Sequence, residues 1–231
     1  MDFIKLNRET YNKIAQLFHS TRQYLWDDIL LFKKYLHDEM SVLDIGCGTG
    51  RLYQLFKEFQ GVDYLGLDQS EEQIKMAKKD FPNNNYLLAE MTNLPLENKK
   101  FDFIFCIATL HHLPDEISRE KALLEMKRVL KSDGYLFLTN WNMDSLSAKK
   151  TIAKGKWFKI LEHGFIVSWS SPKGEKIGER YYYGFDLEEL KILLERVGFE
   201  VLENYYSKKG LKADKDTGTN IVTVAKLKQG K

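Results

Sequence analysis

Val42-Leu43-Asp44-Ile45-Gly46-Cys47-Gly48-Thr49-Gly50 is the stretch that decides the fold. An apolar strand runs into a tight turn whose glycines let the backbone itself press against a ligand, since glycine carries no Cβ and adopts positive φ without steric cost. Beyond it, Leu52, Leu55, Phe56 and Phe59 fall at i, i+3, i+4 and i+7, a spacing that predicts a helix over 51–59. Strand, Gly-rich turn and helix together form a nucleotide cradle, with helix N–H groups and the positive dipole end aimed at the ligand.

The glycine spacing separates two related cradles. A dinucleotide fingerprint, G-x-G-x-x-G, needs its third glycine for close helix packing. Here that position is Arg51 and the glycines read G-x-G-x-G. Tyr64-Leu65-Gly66-Leu67-Asp68 then reads as a second strand, ending in a carboxylate about 20 residues beyond the glycines, where a ribose-binding acid is expected. A carboxylate accepts both ribose hydroxyl hydrogens in charge-assisted bonds. Ser70-x-x-Gln73 caps the helix that follows. The plainer alternatives are a chance Gly-rich turn and, for Asp68, a loop acid near a helix start.

With 231 residues the chain fits one α/β domain with an elaboration. A formal net charge of +2 permits a nucleic-acid partner without announcing one. Cys47 sits in the glycine turn and Cys106 in an apolar strand, which is neither a disulfide framework nor a zinc set, so no metal is expected. No apolar stretch reaches membrane-spanning length, and Met1 to Lys13 has no signal-peptide core; a soluble, cytoplasmic protein without membrane contact is the expectation.

Further along, Tyr86 to Ala89 reads as a short strand, and Phe101 to Ile107 as one covered on both faces. Pro114 opens a helix with Ala122, Leu123, Met126, Val129 and Leu130 inward. Asp133-Gly134 turns the chain into a strand from Tyr135 to Trp141. Asp186-x-x-Glu189 starts another helix that Gly198 stops, and strands near Phe199 to Tyr206 and Asn220 to Lys226 complete the pattern. Such β-α alternation implies a doubly wound, mostly parallel sheet with helices on both faces.

Asp44-Ile45-Gly46-Cys47-Gly48-Thr49-Gly50 resembles motif I of the class I S-adenosylmethionine-dependent methyltransferases. Three more segments narrow the resemblance. Tyr11-x-x-Ile14-Ala15-x-x-Phe18-x-x-Thr21-Arg22-x-x-x-Trp26 is similar to the N-terminal segment of the tRNA wobble-uridine methyltransferases, which esterify 5-carboxymethyluridine. Ala108-Thr109-Leu110-His111-His112-Leu113, with Arg119, Glu125, Arg128-Val129-Leu130 and Gly134, resembles that family's segment after the central strand. Val167-Ser168-Trp169 and Arg180-Tyr181-Tyr182-Tyr183-Gly184-Phe185 resemble its substrate-side insertion. The chain departs from the family at Asp27, where proline is usual, at Lys131 to Gly134, where Lys-Pro-Gly-Gly is usual, and at Tyr183-Gly184, where a histidine is commoner. The last departure lies in the substrate wall.

The resemblance implies a seven-stranded Rossmann-like sheet in a single domain: an N-terminal helical segment (1–40), a cofactor-binding core (41–141), a substrate-cap insertion (142–185) and the C-terminal part of the sheet (186–231). It implies S-adenosyl-L-methionine as cofactor, with Gly46, Cys47 and Gly48 along the methionine moiety and Asp44 bonding either the turn or the cofactor amine. Asp68 would hold the ribose, Gln69 would lie beside the adenine and Met91 would pack on it, while Ile107 and Ala108 would run alongside. Glu90 either meets the adenine amino group or is a solvated loop acid. Arg22 pairs with the cofactor carboxylate, with the acceptor's, or with a surface acid; Tyr11 closes the pocket or merely packs its helix. His112 is a catalytic and substrate-side candidate, with packing at a helix start as the alternative. Trp141, Trp169, Arg180, Tyr181 and Tyr182 would form the substrate side. In eukaryotic relatives a small zinc-binding activator protein is a partner.

The chemistry bears on what to look for. A methyl carried on a sulfonium is already activated, so displacement needs mainly alignment and desolvation. A carboxylate acceptor is ionised at neutral pH and needs no general base, whereas an amine or phenol would profit from one. Between Trp141 and Phe185 the connection is too long for an ordinary loop and is expected to cap the site. There Trp141, Trp157 and Trp169 interleave with Lys149, Lys150, Lys154, Lys156, Lys159, Lys173, Lys176 and Arg180, and Lys208, Lys209, Lys212 and Lys215 follow in a later loop. This mixture suits either an unpaired base with its phosphates or an aromatic mini-core under a solvated lysine face. Three functions remain: methylation of a wobble-uridine carboxylate in tRNA, methylation of a small metabolite, and a catalytically silent cofactor-binding module.

Overall fold

A computed structural model describes residues 1–171 and 173–228 of the chain, so the last three residues of the C-terminal segment lie outside the described part. The chain opens with α1 (Phe3–Thr21), whose Asp2 side chain caps the Lys5 N–H, and the short α2 (Asp27–Leu30). Then come β1 (Ser41–Ile45), β2 (Asp63–Asp68), α3 (Glu71–Asp80), β3 (Asn85–Leu88), β4 (Phe101–Ile107), α4 (Glu116–Val129) and β5 (Leu130–Trp141). The insertion holds α5 (Leu146–Ala153), β6 (Trp157–Lys159), β7 (Gly164–Ser170) and β8 (Lys176–Tyr183). The chain closes with α6 (Leu187–Arg196), β9 (Phe199–Lys208), β10 (Leu211–Lys212) and β11 (Asn220–Leu227).

The main sheet runs β10-β9-β11-β5-β4-β1-β2-β3. From β5 to β3 every pairing is parallel, while β11 lies antiparallel between β5 and β9. Seven strands are therefore joined by a two-residue eighth, β10, that folds back on the end of β9. The chain winds outward from β1 through β2 to β3, then crosses to β4 on the other side of β1. Between β1 and β4 lies the switch point, and the carboxyl ends there open the crevice where such sheets bind ligands.

Both sheet faces are covered, and β4 shows how. Ile104 and Cys106 join the core under α4 and α6, with Leu123, Met126, Leu190 and Leu194. Phe103 and Phe105 point the other way, into an aromatic layer with Phe32, Phe56 and Phe137. A strand buried on both sides has no place for a polar alternation, which is why it reads as a continuous apolar run.

Three expectations are adjusted. The segment after the glycines is not an α-helix over 51–59 but 3₁₀ turns at Arg51–Phe56, tightened onto Gly50 by a Tyr53 N–H···O bond of 3.1 Å. Apolar spacings of three and four suit either winding, and both bury Leu52, Leu55 and Phe56. The third strand starts at Asn85 and ends at Leu88. Asp133-Gly134 forms a bulge inside β5, where the pairing jumps from Phe101–Leu130 to Phe103–Tyr135.

The insertion forms its own three-stranded antiparallel sheet, β6-β7-β8, and β8 lies along α1. Asn7 ties them: its side chain accepts from the Tyr181 N–H at 2.7 Å and donates to the Tyr181 carbonyl at 3.2 Å. Under this sheet Met143, Phe165, Val167 and Tyr182 make a small core against which Trp141 and Trp157 pack, and Lys149, Lys150, Lys154, Lys156, Lys159, Lys173 and Lys176 are exposed. The aromatic mini-core is thus present. Trp169 and Arg180 depart from it and face the crevice.

Candidate active site

A cavity of about 1230 Å³, counted to its open mouth, occupies the switch point. The first βα junction forms its floor. Gly46 sits at φ +72°, and a Cβ there would fall 2.3 Å from the Thr109 side chain, so the position is closed to any other residue. Gly48, at φ +54°, has its N–H 2.9 Å from Asp68 Oδ2. That carboxylate also accepts from the Ser70 N–H at 2.8 Å. Burial raises the Asp68 pKa and these N–H donors counter the rise. The acid at the tip of β2 and the glycine turn at the tip of β1 are thereby locked to each other.

Asp44 stands beneath the turn. It does not bond the turn: Tyr64 donates its phenolic hydrogen to Asp44 Oδ2 at 2.7 Å, and Gly46 and Cys47 N–H go to the Leu67 carbonyl. Burial pushes the Asp44 pKa up to about 7, against the pull of the Tyr64 bond. A buried carboxyl poised this way gains most from a cation brought to it.

Three guanidiniums also line the cavity. Arg22 lies over the rings of Trp169 and Phe18, 5.5 and 5.9 Å from their centroids, and burial, then the neighbouring Arg180, lowers its pKa. Arg51 lies 4.4 Å over Trp26, its pKa lowered to about 10 chiefly by burial. Arg180 is buried, donating from Nη1 to Tyr182 at 2.8 Å and Tyr11 at 3.3 Å, while its Nε has no acceptor. Trp169 Nε1 is likewise a buried donor without an acceptor. Among the described residues the ion-paired arginines are Arg8, Arg128 and Arg196, so these three inward-facing ones have no carboxylate at salt-bridge distance.

His112 also borders the cavity. Its Nδ1 lies 2.9 Å from the Tyr181 carbonyl and its Nε2 3.0 Å from the Tyr11 hydroxyl, and burial pushes its pKa down to about 3. Both ring nitrogens are engaged, so the imidazole is placed as a neutral wall rather than a free base.

The cavity gathers Tyr11, Arg22, Asp44, Gly46, Cys47, Gly48, Asp68, Gln69, Glu90, Met91, Ile107, Ala108, His112, Trp141, Trp169, Arg180 and Tyr182. Glu90 is exposed at the rim, 3.3 Å from Arg8, so both its readings have a physical basis. Tyr181 is the exception. Alternation along β8 turns its ring to the other face, where it stacks on Phe3 at 4.4 Å and its hydroxyl meets the Pro114 carbonyl. The residue serves packing, and its place as a substrate contact is withdrawn. Sequence reasoning missed Trp26, Thr109, Gln73 and the inward role of Arg51. Arg51 carried a signal, a cation directly after the glycines; Trp26, Thr109 and Gln73 stood in motifs without being marked as site residues, because their approach depends on loops and long-range packing.

Residues 43–138 match the family described as a methyltransferase domain. A protein of Encephalitozoon cuniculi named as a methyltransferase is 30% identical over 198 residues, spanning 84% of this chain and 87% of its own length. The tRNA (carboxymethyluridine(34)-5-O)-methyltransferase of Schizosaccharomyces pombe is 28% identical, covering 87% of this chain and 91% of its own. The ubiquinone/menaquinone biosynthesis C-methyltransferase of Campylobacter jejuni is 26% identical, covering 84% and 89%. Among solved structures, an S-adenosylmethionine-dependent methyltransferase from Clostridium acetobutylicum has a TM-score of 0.69 at 18% identity, over 94% of this chain and 98% of its own. The methyltransferase of an activator complex from Haloferax volcanii has a TM-score of 0.71 at 15% identity, over 97% and 98%.

The chain belongs to the class I methyltransferases and is an S-adenosylmethionine-dependent enzyme resembling the carboxymethyluridine methyltransferases of tRNA. Its cavity fits that cofactor by its own features: a glycine turn whose Gly48 lines the cavity with no side chain closer than 3.6 Å to where a Cβ would stand, and a buried acid, Asp44, suited to an ammonium. No helix among the described residues is long and apolar enough to cross a membrane.

Proposed function

We propose that the enzyme methylates a carboxylate, that of a 5-carboxymethyl-type wobble uridine in tRNA. The observation that carries this reading is the set of buried donors on the acceptor side of the cavity. Arg180 is a buried cation without an anion, and an unpaired buried charge costs several kcal/mol. A carboxylate bound in the cavity would supply the counter-charge. Arg22, Arg51 and Arg180 face two carboxylates in this reading, one on the cofactor and one on the acceptor. A neutral quinol-type acceptor, as the name of the Campylobacter relative implies for that enzyme, would leave Arg180 uncompensated.

Asp44 would hold the cofactor's ammonium and Asp68 its ribose hydroxyls, and Glu90 and Met91 would flank the adenine. When bound, S-adenosylmethionine supplies an electrophilic methyl that becomes an ester on a carboxylate oxygen, leaving the demethylated sulfide. Arg180 and Trp169 orient the acceptor through hydrogen bonds, and Trp141 and Tyr182 wall off water. No proton has to leave the acceptor, in keeping with a His112 whose nitrogens are both occupied. An activator subunit, as in the Haloferax complex, is the natural partner to test alongside. The experiment supplies methyl-labelled cofactor and total tRNA, with and without such a subunit, then digests to nucleosides. Label in a 5-substituted uridine ester is the expected result; label confined to small metabolites would overturn the reading.

A further inference from the structure

Behind the wall formed by Trp26 and Trp141 lies a second hollow, of about 1020 Å³ counted to its mouth. Both indoles border both spaces. In the second, Trp157 stacks on Trp141 with centroids 5.8 Å apart and planes 30° from parallel, beside Leu25, Met143 and Ala148. The deep polar groups are already satisfied. Asp28 accepts from the Gly210 N–H at 2.8 Å and from Asn220 Nδ2 at 2.6 Å, and Asn142 Nδ2 donates to the Lys215 and Gly218 carbonyls. What remains on offer is flat aromatic and apolar surface with a cationic edge. Lys209 lines the mouth, and Lys154 and Lys156 precede Trp157 in the chain. None of these three is ion-paired among the described residues, whereas Lys149 and Lys215 are. The one exposed acid at the mouth is Asp27.

Stacking surface with positive charge at its edge is what an unpaired base and its phosphate require, and it is tolerant of which base. We propose that this hollow holds the nucleotide next to the methylated one, so that single-stranded RNA straddles the Trp26–Trp141 wall. The target base then enters the main cavity while its neighbour lies against Trp157. This rests on the RNA reading of the main cavity and adds to it: the enzyme grips a dinucleotide step, not one nucleoside.

The test is a double-mutant cycle between protein and RNA, with the full chain and any activator it needs. The substrate is an anticodon stem-loop carrying 5-carboxymethyluridine, intact or with an abasic neighbour on either side. The variants are Trp157→Ala and Trp157→Phe. Removing the neighbouring base on one side weakens binding to the unmodified protein by roughly tenfold, the worth of one base–aromatic stack. Trp157→Ala costs a similar factor with intact RNA and little more with the abasic one, while Trp157→Phe restores most of the loss. A fluorescent 2-aminopurine at the same position is quenched on binding and stays bright with Trp157→Ala. Equal losses on intact and abasic RNA would mean that Trp157 only supports the cap, and would overturn the inference, as would an unquenched probe. If the unmodified protein methylates no RNA whatever, the parent reading falls first, and that is visible before any variant is made.

Discussion

Tyr11 and His112 meet across the cavity wall, hydroxyl to Nε2, at 3.0 Å. The other ring nitrogen faces the Tyr181 carbonyl at 2.9 Å, and a carbonyl can only accept, so the network assigns the ring proton to Nδ1 and leaves Nε2 to accept from Tyr11. Arg180 Nη1 in turn donates to the Tyr11 hydroxyl at 3.3 Å. The chain Arg180–Tyr11–His112–Tyr181 fixes α1, β8 and the segment after β4 in one arrangement. Burial keeps this imidazole neutral far below its ordinary range.

His112→Asn keeps a donor for the Tyr181 carbonyl and removes the ring. The expected loss in kcat/KM is about tenfold or less, below the 10²–10⁴ of a general base, and the shape of the pH profile is unchanged. Stability should also respond to acid. An imidazole whose folded pKa is about 3 stabilises the fold above its unfolded value near 6.5, and that contribution drains away as pH falls between the two. His111, likewise lowered by burial, adds to the effect. Denaturant titrations from pH 7 to 4 should show a shallower decline in His112→Asn. Loss of a pH limb in the variant's activity would instead identify a base.

Asp44 gives cofactor binding its own pH signature. With a folded pKa of about 7 the carboxyl is protonated below that value, while a bound ammonium demands the carboxylate. Affinity for S-adenosylmethionine should fall as pH drops below 7, approaching tenfold per unit, and should be highest between that value and about 8, where the cofactor's own α-ammonium begins to lose its proton. Calorimetry from pH 5.5 to 8.5 reads this directly. In Asp44→Asn the slope should vanish along with much of the affinity.

Gly46→Ala faces two penalties at once. Its φ of +72° costs an alanine about 1–2 kcal/mol, and the added methyl would overlap Thr109 at 2.3 Å. Unfolding free energy should fall by more than about 2 kcal/mol, and cofactor binding should be lost even where the fold survives. Thr109→Gly in the same chain should recover part of the stability, since it opens the space without curing the φ.

What the sequence made legible follows from locality. Asp44, Gly46, Gly48 and Asp68 are joined by short-range geometry, a glycine turn and the strand next to it, so the floor of the cavity could be read from one stretch of chain. Ser70 and Asp186 were readable as caps for the same reason. Tyr181 was not, because which face of β8 turns inward depends on how the cap sheet meets α1, 174 residues away in sequence at Asn7. Trp26 and Arg51 pair across a loop whose path no local pattern announces. The 3₁₀ winding of Arg51–Phe56 was hidden because its apolar spacing serves two helix types equally.

Arg180→Met should separate acceptor from cofactor. Removing one partner of a buried charge pair costs about 2–5 kcal/mol, so kcat/KM for a carboxylate acceptor should drop by two to three orders of magnitude. Cofactor affinity, followed by calorimetry, should change far less. A parallel collapse of both would place Arg180 on the cofactor instead.

The central claim is that the methyl goes to a carboxylate oxygen, and the bond formed reports it. RNA labelled by the enzyme with methyl-labelled cofactor is treated with mild alkali, and volatile label is counted as released methanol. A methyl ester yields nearly all of its label within the hydrolysis time of an authentic ester standard. Label that stays on the RNA, as it would on carbon, nitrogen or an ether oxygen, contradicts the account.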